Sequence, residues 1–310
     1  MMHPHCGCGK RAFTRGSTGH SVYCRQCFTE AVQERVRKTI NRYSMFRHGD
    51  SIAIGLSGGK DSAVLLNILT LLERSPPRSH LAAVVVDEGI HGYRDEAIKC
   101  ARLAADQASI ELHLVSFEEL YGDSLDALVS RVHRRNYGQK PCSICGTLRR
   151  NALNKVAREI GATKLATGHN LDDETQTCLL NVLRGDTFRF RRLSREPTQK
   201  HPELVPRVKP LVEVAEREIQ LYALAKKLHY HDIECPYAAT AMRNDVRRFL
   251  MAQEEKRPGT LMTVLRFHDR LLSQENKEES PRFKLCQKCG EPTSTETCSV
   301  CNTLKILGDW

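Results

Sequence analysis

The central stretch of the chain, residues 31 to 212, predicts an α/β fold built on a doubly wound parallel sheet. Three observations predict it. Short apolar runs alternate with segments of helical periodicity. The run LAAVVVD (81 to 87) is β-branched and apolar throughout, as a parallel strand buried on both faces must be. The runs lead into glycine-rich or acidic turns that open helices, the signature of β-α-β units.

In order, AVQERVRKTINRYSMF (31 to 46) predicts a helix and SIAIGLS (51 to 57) a strand. DSAVLLNILTLLE (61 to 73) is a helix, 81 to 87 a strand, 94 to 107 a helix, and IELHLVSF (110 to 117) a strand. Residues 124 to 135 read as a helix. So do 148 to 161, closed by Gly161. TKLATGH (163 to 169) is a strand followed by the helix DDETQTCLLNVLRG. After VPRVKPL (205 to 211) the pattern is helical, in EREIQLYALAKKL, ATAMRNDVRRFLMAQEE and GTLMTVLRFHDRLL. No solenoid repeat is present.

Composition narrows the class. A hydrophobic content of 40% with 27% charged residues suits a soluble globular chain. No apolar run reaches the roughly 20 residues of a membrane span, and MMHPHCGCGKRAF has no apolar signal core. The expected location is the cytoplasm. The net charge of +10 favours a polyanionic partner. Aromatics at 6% give no obvious stacking platform for single strands.

Thirteen cysteines in a cytosolic chain point to metal or catalysis rather than disulfides. Cys286-x2-Cys289 and Cys298-x2-Cys301 supply four soft ligands for tetrahedral zinc, and the polar CGEPTSTETCSV between them could not form a core without it. Near the N-terminus, Cys24-x2-Cys27 is one half of a second zinc site. Its other half, in HPHCGCG, is read as His5 and Cys8, with Cys6 the rival to His5; His3 and Cys6 share the same spacing. The expected division is therefore 1–30 for an N-terminal zinc module, 31–212 for the catalytic domain, 213–280 for a helical extension and 281–310 for a C-terminal zinc module.

Ligands of open α/β sheets bind beyond the carboxyl ends of strands. After the first strand comes GLSGGKDS, Gly55 to Ser62. Gly58 and Gly59 let backbone N–H groups approach phosphate, Ser57 and Ser62 offer hydroxyls, and Lys60 brings charge. Asp61 suits a magnesium ligand or a helix cap. The spacing is not that of a Walker loop. It resembles the PP-loop signature SGGKDS of the ATP pyrophosphatase superfamily, of adenine nucleotide alpha-hydrolase-like fold, which splits ATP into AMP and pyrophosphate. The resemblance implies an ATP and Mg2+ site. It places Asp87 and Glu88 at the strand end that holds adenine, and it matches ATGHNLDDETQT to the family's second motif, with Gly168, His169, Asp172 and Asp173 near the triphosphate. A plain helix cap with first-turn acids is the alternative for Asp172 and Asp173.

The pair in KPCSICG, Cys142 and Cys145, opens the helix expected near Leu148. Cys235 stands alone in IECPYAATAMR. Three thiolates fall short of the four protein ligands of structural zinc or of an ordinary 4Fe–4S cluster. A persulfide route needs only two cysteines and no iron. With the terminal modules, SGGKDS, PCSICG-x-LRR, ATGHNLDDE, RVKPL, ECPYA and CGEPTS, the chain closely resembles the archaeal and eukaryotic tRNA 2-thiouridine synthetases over nearly its whole length. That resemblance implies that Cys142, Cys145 and Cys235 hold a 4Fe–4S cluster with one open iron. It also implies that Lys60, Asp61 and Asp173 join these cysteines in catalysis on uridine 34 or 54 of tRNA, and that the chain forms a homodimer. Sulfur would come from a thiocarboxylated ubiquitin-like protein or from free sulfide. A dithiol thiolase, a PP-loop amide ligase and a zinc-stapled RNA-binding protein are the competing classes. Candidate tRNA contacts are Arg131, Arg134, Arg135, Arg149, Arg150, Arg189, Arg191 and Arg192, with TFRFRRLSRE (187 to 196) as a loop carrying Phe188 and Phe190. Cys100 and Cys178 read as ordinary core residues.

Overall fold

The computed structural model describes residues 5–16, 21–73, 79–134, 140–191, 193, 201–238, 243–274 and 283–308. An antiparallel ribbon of β1 (Thr14–Arg15) and β2 (Val22–Tyr23) leads into α1 (Arg25–Arg42). The α/β unit follows as β3 (Ser51–Gly55), α2 (Lys60–Glu73), β4 (His80–Asp87), α3 (Arg94–Ala108), β5 (Glu111–Ser116), α4 (Phe117–Tyr121), α5 (Leu125–Arg134), α6 (Pro141–Glu159), β6 (Lys164–Ala166), α7 (Leu171–Leu183), α8 (Thr187–Arg191) and β7 (Arg207–Val208). Helices α9 (Glu216–Lys226), α10 (Arg243–Lys256) and α11 (Thr260–Gln274) come next. A second ribbon, β8 (Lys284–Leu285) and β9 (Pro292–Thr293), ends in α12 (Ser299–Leu307).

The five-stranded sheet has the order β5-β4-β3-β6-β7 and every pairing is parallel. The chain builds outward from β3 through β4 to β5, then returns to the other side of β3. That reversal puts the topological switch point between the carboxyl ends of β3 and β6, where a ligand crevice opens. The central strands carry Ala53, Ile54, Val84 and Val85, all with no exposed surface. This explains why their sequences are apolar on both faces. The doubly wound sheet expected from the sequence is present.

Four local features differ from the sequence reading. Helix α6 begins at Pro141, not near Leu148. Proline is suited to a first helical turn because its fixed φ fits and its missing N–H is not needed there. Cys142 and Cys145 therefore lie inside the first turns of the helix. The strand expected to run to residue 117 stops at Ser116, whose hydroxyl accepts from Glu119 N–H in a capping box that starts α4. Residues 187 to 191, expected as loop, form α8. The RVKPL segment contributes the edge strand β7.

The helices of 213–280 share the sheet's core rather than building their own. Ile219, Tyr222, Val246, Leu250, Leu261 and Leu265 are buried in one cluster with Val32, Val36 and Ile54. Gln33 donates to the Tyr222 hydroxyl at 2.8 Å, and Thr39 to Glu213 at 2.9 Å. At the other end of the chain, Leu304 and Leu307 of α12 are buried against Ile144 and Leu148 of α6. Among the described residues, no helix is long and apolar enough to cross a membrane.

Candidate active site

Beyond β3, the turn Ser57–Ser62 closes on its own hydroxyls. Ser57 N–H and Oγ both lie 3.1 Å from Ser62 Oγ, and Ser62 Oγ donates to the Gly59 carbonyl at 2.9 Å. Gly58 has φ +86°, and a Cβ there would sit 2.0 Å from the Ala97 carbonyl oxygen of α3. Only glycine fits. Arg94, at the start of α3, donates to the Ser57 carbonyl at 2.9 Å and to the Val86 carbonyl, and its Nε lies 2.7 Å from Glu88. Both members of that ion pair are buried. The pair clamps the ends of β3 and β4 to the turn. Sequence reasoning saw Arg94 only as a helix start. Asp87 accepts from Gly89 N–H at 2.8 Å and ends β4.

Carboxylates gather opposite the turn. Gly168, just past β6, lets the chain pass Asp61 so closely that a Cβ would be 3.0 Å from the Asp61 carbonyl carbon. Asn170 caps α7, exchanging bonds with Asp173, and its amide donates to Asp61 Oδ1 at 2.9 Å. Asp172 accepts from Glu216 N–H at 2.7 Å. Lys60 Nζ lies 2.9 Å from Glu216 and 3.3 Å from Asp61. Arg247 meets Glu216 at 3.0 Å and Arg243 meets Asp173 at 3.5 Å. Asp172 and Asp173 thus perform the capping duties of the alternative reading, yet Asp173 remains a charged neighbour of Asp61. Burial raises the pKa of both, and Asp61 and Glu216 help push Asp173 up to about 6. Crowded acids of this kind fit a bound Mg2+, whose charge would offset them.

His169 Nδ1 lies 2.9 Å from the Thr167 hydroxyl. Burial, with Lys209 next, depresses its pKa to about 3, so the ring is neutral. Lys209, from RVKPL, is ion-paired with the buried Glu174. Sequence reasoning assigned no role to Asn170, Glu174, Lys209, Glu216, Arg243 or Arg247. Most of their contacts join residues far apart in the chain, and no spacing announces them.

The three central cysteines converge. Cys142 Sγ lies 3.3 Å from the carbonyl of Tyr237, two residues past Cys235. Cys145, Cys235 and Tyr237 pack against one hydrophobic cluster. Burial pushes the Cys145 thiol up to about 12, with Cys235 and Cys142 adding to the shift, and burial with Cys142 raises Cys235. Soft donors that repel one another as thiolates fit a multinuclear cation centre, which would reverse those shifts. Among the described residues, two other sets of sulfurs lie within 4.8 Å of one another, as a single ion requires, and these three do not form such a set. The segment before Cys235 is joined to the phosphate turn: His231 N–H donates to the Gly58 carbonyl at 2.8 Å, and the His231 ring stands edge-on to Tyr93 at 5.1 Å.

The two compact sulfur sets are Cys286, Cys289, Cys298 and Cys301, as expected, and Cys6, Cys8, Cys24 and Cys27. The second corrects the sequence reading: Cys6 replaces His5. A turn in which Cys6 N–H meets the Lys10 carbonyl at 2.9 Å and Gly9 N–H meets the Cys6 carbonyl at 2.8 Å buries Cys6, while His5 bridges to Arg11 and stays exposed. Four thiolates at these spacings fit tetrahedral zinc. Cys178 is buried and Cys100 half-buried.

Of the candidate RNA contacts, Arg131 pairs with Asp123, Arg149 lies 3.6 Å from Glu88, and Arg189 lies 3.3 Å from Asp186. Phe190 stacks edge-on to His268 at 4.5 Å. Arg135 and Arg192 lie outside the described residues, as do His3 and the side chains of Arg134, Phe188 and Arg191.

Comparison with known proteins agrees with this geometry. The pattern of the PP-loop domain matches residues 28–254. The cytoplasmic tRNA 2-thiolation protein 1 of Drosophila melanogaster is 39% identical over 310 residues, covering 99% of this chain and 89% of that protein. Its counterpart in Drosophila erecta is 39% identical over 302 residues, covering 97% and 86%. The U34-tRNA thiolase NcsA from Methanococcus maripaludis, solved with its 4Fe–4S cluster, superposes with a TM-score of 0.85 at 34% identity, covering 99% of this chain and 97% of that one. With the phosphate turn and the acidic second motif meeting at the switch point of a parallel sheet, the chain belongs to the PP-loop domain family.

Proposed function

We propose that the chain is an ATP-dependent transferase that replaces the C2 oxygen of a tRNA uridine with sulfur. The observation that carries this reading is the joining of two sites: the His231–Gly58 hydrogen bond ties the segment bearing Cys235 to the phosphate turn. Amide ligation needs no such cysteines, and a dithiol route needs only two. The thiolation relatives in Drosophila and Methanococcus support the same reading. The U34 specificity of NcsA favours wobble position 34 over position 54. The relatives' name favours a cytoplasmic location.

In the proposed reaction, the uridine C2 oxygen attacks the α-phosphorus of ATP and the bond to the β-phosphate bridge breaks, releasing pyrophosphate. Backbone N–H groups of the Ser57–Ser62 turn and Lys60 face the phosphates and stabilise the added charge. Asp61 and Asp173 would hold Mg2+ against them. Hydrosulfide then attacks C2, AMP departs with the former carbonyl oxygen, and the sulfur proton passes to solvent. Cys142, Cys145 and Cys235 would hold a 4Fe–4S cluster that leaves one iron without a protein ligand, and so a place for sulfide. Cys6, Cys8, Cys24 and Cys27 would hold one zinc, and the quartet from Cys286 to Cys301 another. The sulfur donor is a thiocarboxylated ubiquitin-like protein or free sulfide, and the working unit is a homodimer.

The test is anaerobic purification with iron, sulfide and zinc analysis, followed by incubation with ATP, sulfide and tRNA and nucleoside mass spectrometry. One 2-thiouridine and one AMP per tRNA are expected. Full thiolation by iron-free protein would overturn the cluster reading.

A further inference from the structure

Guanidinium groups crowd together where the edge strand β7 passes α6. Arg149 and Arg150 lie on α6, Arg207 opens β7, and Arg189 lies on α8. Arg207 donates to the backbone carbonyl of Arg150 at 2.8 Å, which fixes the two residues side by side. The head of Arg150 hangs over Gly146, where a Cβ would come 3.2 Å from its Nη1, and Gly146 adjoins Cys145. The group therefore borders the sulfur site.

The charges do not balance there. Arg149 reaches Glu88 at 3.6 Å, but that carboxylate already faces Arg94 at 2.7 Å. Arg189 has Asp186. Among the described residues, no carboxylate pairs with Arg150 or Arg207, which are hemmed in by neighbouring protein yet still reach solvent. Enclosure, together with Arg150 and Arg149, pushes Arg207 down to about 10; enclosure, Arg149 and Arg189 lower Arg150 as well. Like charges joined through a backbone contact and left without a carboxylate favour an external anion. The planar forks of arginine match the two free oxygens of a phosphodiester. A nucleotide whose base reaches Cys145 carries its backbone phosphates no farther than a nucleotide's length from the same rim.

We infer that Arg150 and Arg207 form a clamp for a backbone phosphate of the RNA nucleotide presented to the cysteines. The inference rests on the proposed RNA substrate and adds where that RNA is gripped. Arg150 and Arg207 are positioning residues: they hold the strand and do not touch the reacting carbon.

The test uses the anaerobically prepared full chain and unmodified tRNA transcript. R150Q, R207Q and the double variant are compared with R248Q, which removes an equal charge from an exposed helix face where Arg248 pairs with Asp245. The dissociation constant is measured across a potassium chloride series, with ATP affinity, iron content and melting temperature as checks on folding. The double variant is expected to bind tRNA roughly tenfold more weakly and to reduce the salt slope by about 0.7 to 0.9, because the one phosphate the pair clamps is no longer neutralised. KM for tRNA rises while the rate at saturation is largely kept, and R150K/R207K restores most of the slope. R248Q leaves all of these unchanged. An unaltered slope in a double variant that still makes 2-thiouridine overturns the clamp alone. An equal loss in R248Q overturns it too, since the effect is then net charge. A wild-type chain that binds ATP but no tRNA overturns the clamp and the RNA reading together.

Discussion

The backbone N–H of His231 lies 2.8 Å from the carbonyl oxygen of Gly58, so the segment that leads to Cys235 hangs from the turn expected to hold the ATP phosphates. Any shift of that turn is transmitted to the third cysteine's segment through a hydrogen bond, with no intervening side chain.

Gly58→Ala strikes this joint. A methyl group would stand 2.0 Å from the Ala97 carbonyl, and the residue would hold φ +86° at a cost of about 1–2 kcal/mol before the clash is counted. The turn must move. Calorimetry with a non-hydrolysable ATP analogue should show affinity down by at least about tenfold, or roughly 1.4 kcal/mol. Hydrogen exchange across residues 228–238 should quicken in the variant. Wild-type affinity with unchanged exchange would refute the coupling.

The helix carrying Cys142 and Cys145 leans on α12. Leu304 and Leu307 have 1% and 0% exposure against Ile144 and Leu148, and Arg158 of the same helix meets Glu291 at 3.0 Å. Leu304→Ala or Leu307→Ala should cost about 2–5 kcal/mol. Neither change touches a sulfur ligand, so zinc content should stay at two while bound iron falls and Cys142 alkylates faster. Retention of full iron in a destabilised variant would show that α12 does not steady the sulfur site.

Zinc stoichiometry decides between Cys6 and His5. Cys6→Ser should reduce tightly bound zinc from two ions to one at neutral pH, because one thiolate of four is lost from a set that spans less than 4.8 Å. His5→Ala should leave both ions in place. The reverse pattern would restore the His5 assignment.

Asp50 provides a pH test away from the chemistry. Burial would raise its pKa, but bonds from the Thr163 hydroxyl and Arg47 N–H, both 2.7 Å, and the charge of Lys164 outweigh burial and hold it below the usual value. Its contribution is therefore present above the unfolded pKa of about 3.9 and is lost as pH falls through the folded value. Asp50→Ala should lower stability by about 1–3 kcal/mol at pH 7. The gap from wild type should close below about pH 4 in urea titrations. A gap independent of pH would assign the loss to packing.

Much of the fold was legible because parallel strands buried on both faces must be apolar, and 81 to 87 and 51 to 57 could be little else. The phosphate turn was legible because Gly58 and Lys60 serve local geometry. Arg94 and Glu216 were not, since their partners lie at Ser57, Glu88 and Lys60, distances along the chain that no periodicity encodes. Cys6 was ranked behind His5 because ligand spacing counts residues, whereas the backbone turn from Cys6 to Lys10 decides which side chains face inward. The start of α6 was placed late because helical periodicity was read only from Leu148, whereas Pro141 fits a first helical turn.

The packing of α12 on α6 also sets an order of manufacture. A ribosome releases Cys142 and Cys145 well before it has made Leu304 and Leu307. Until then the underside of the cysteine helix lies bare, and an iron centre loaded during synthesis would rest on an unfinished support. On the proposed reading, iron would be delivered after translation, once the late-emerging thiols had taken up their own ion and the helix beyond them had settled. Cells starved of zinc would then accumulate chains that are complete in length yet unable to mature.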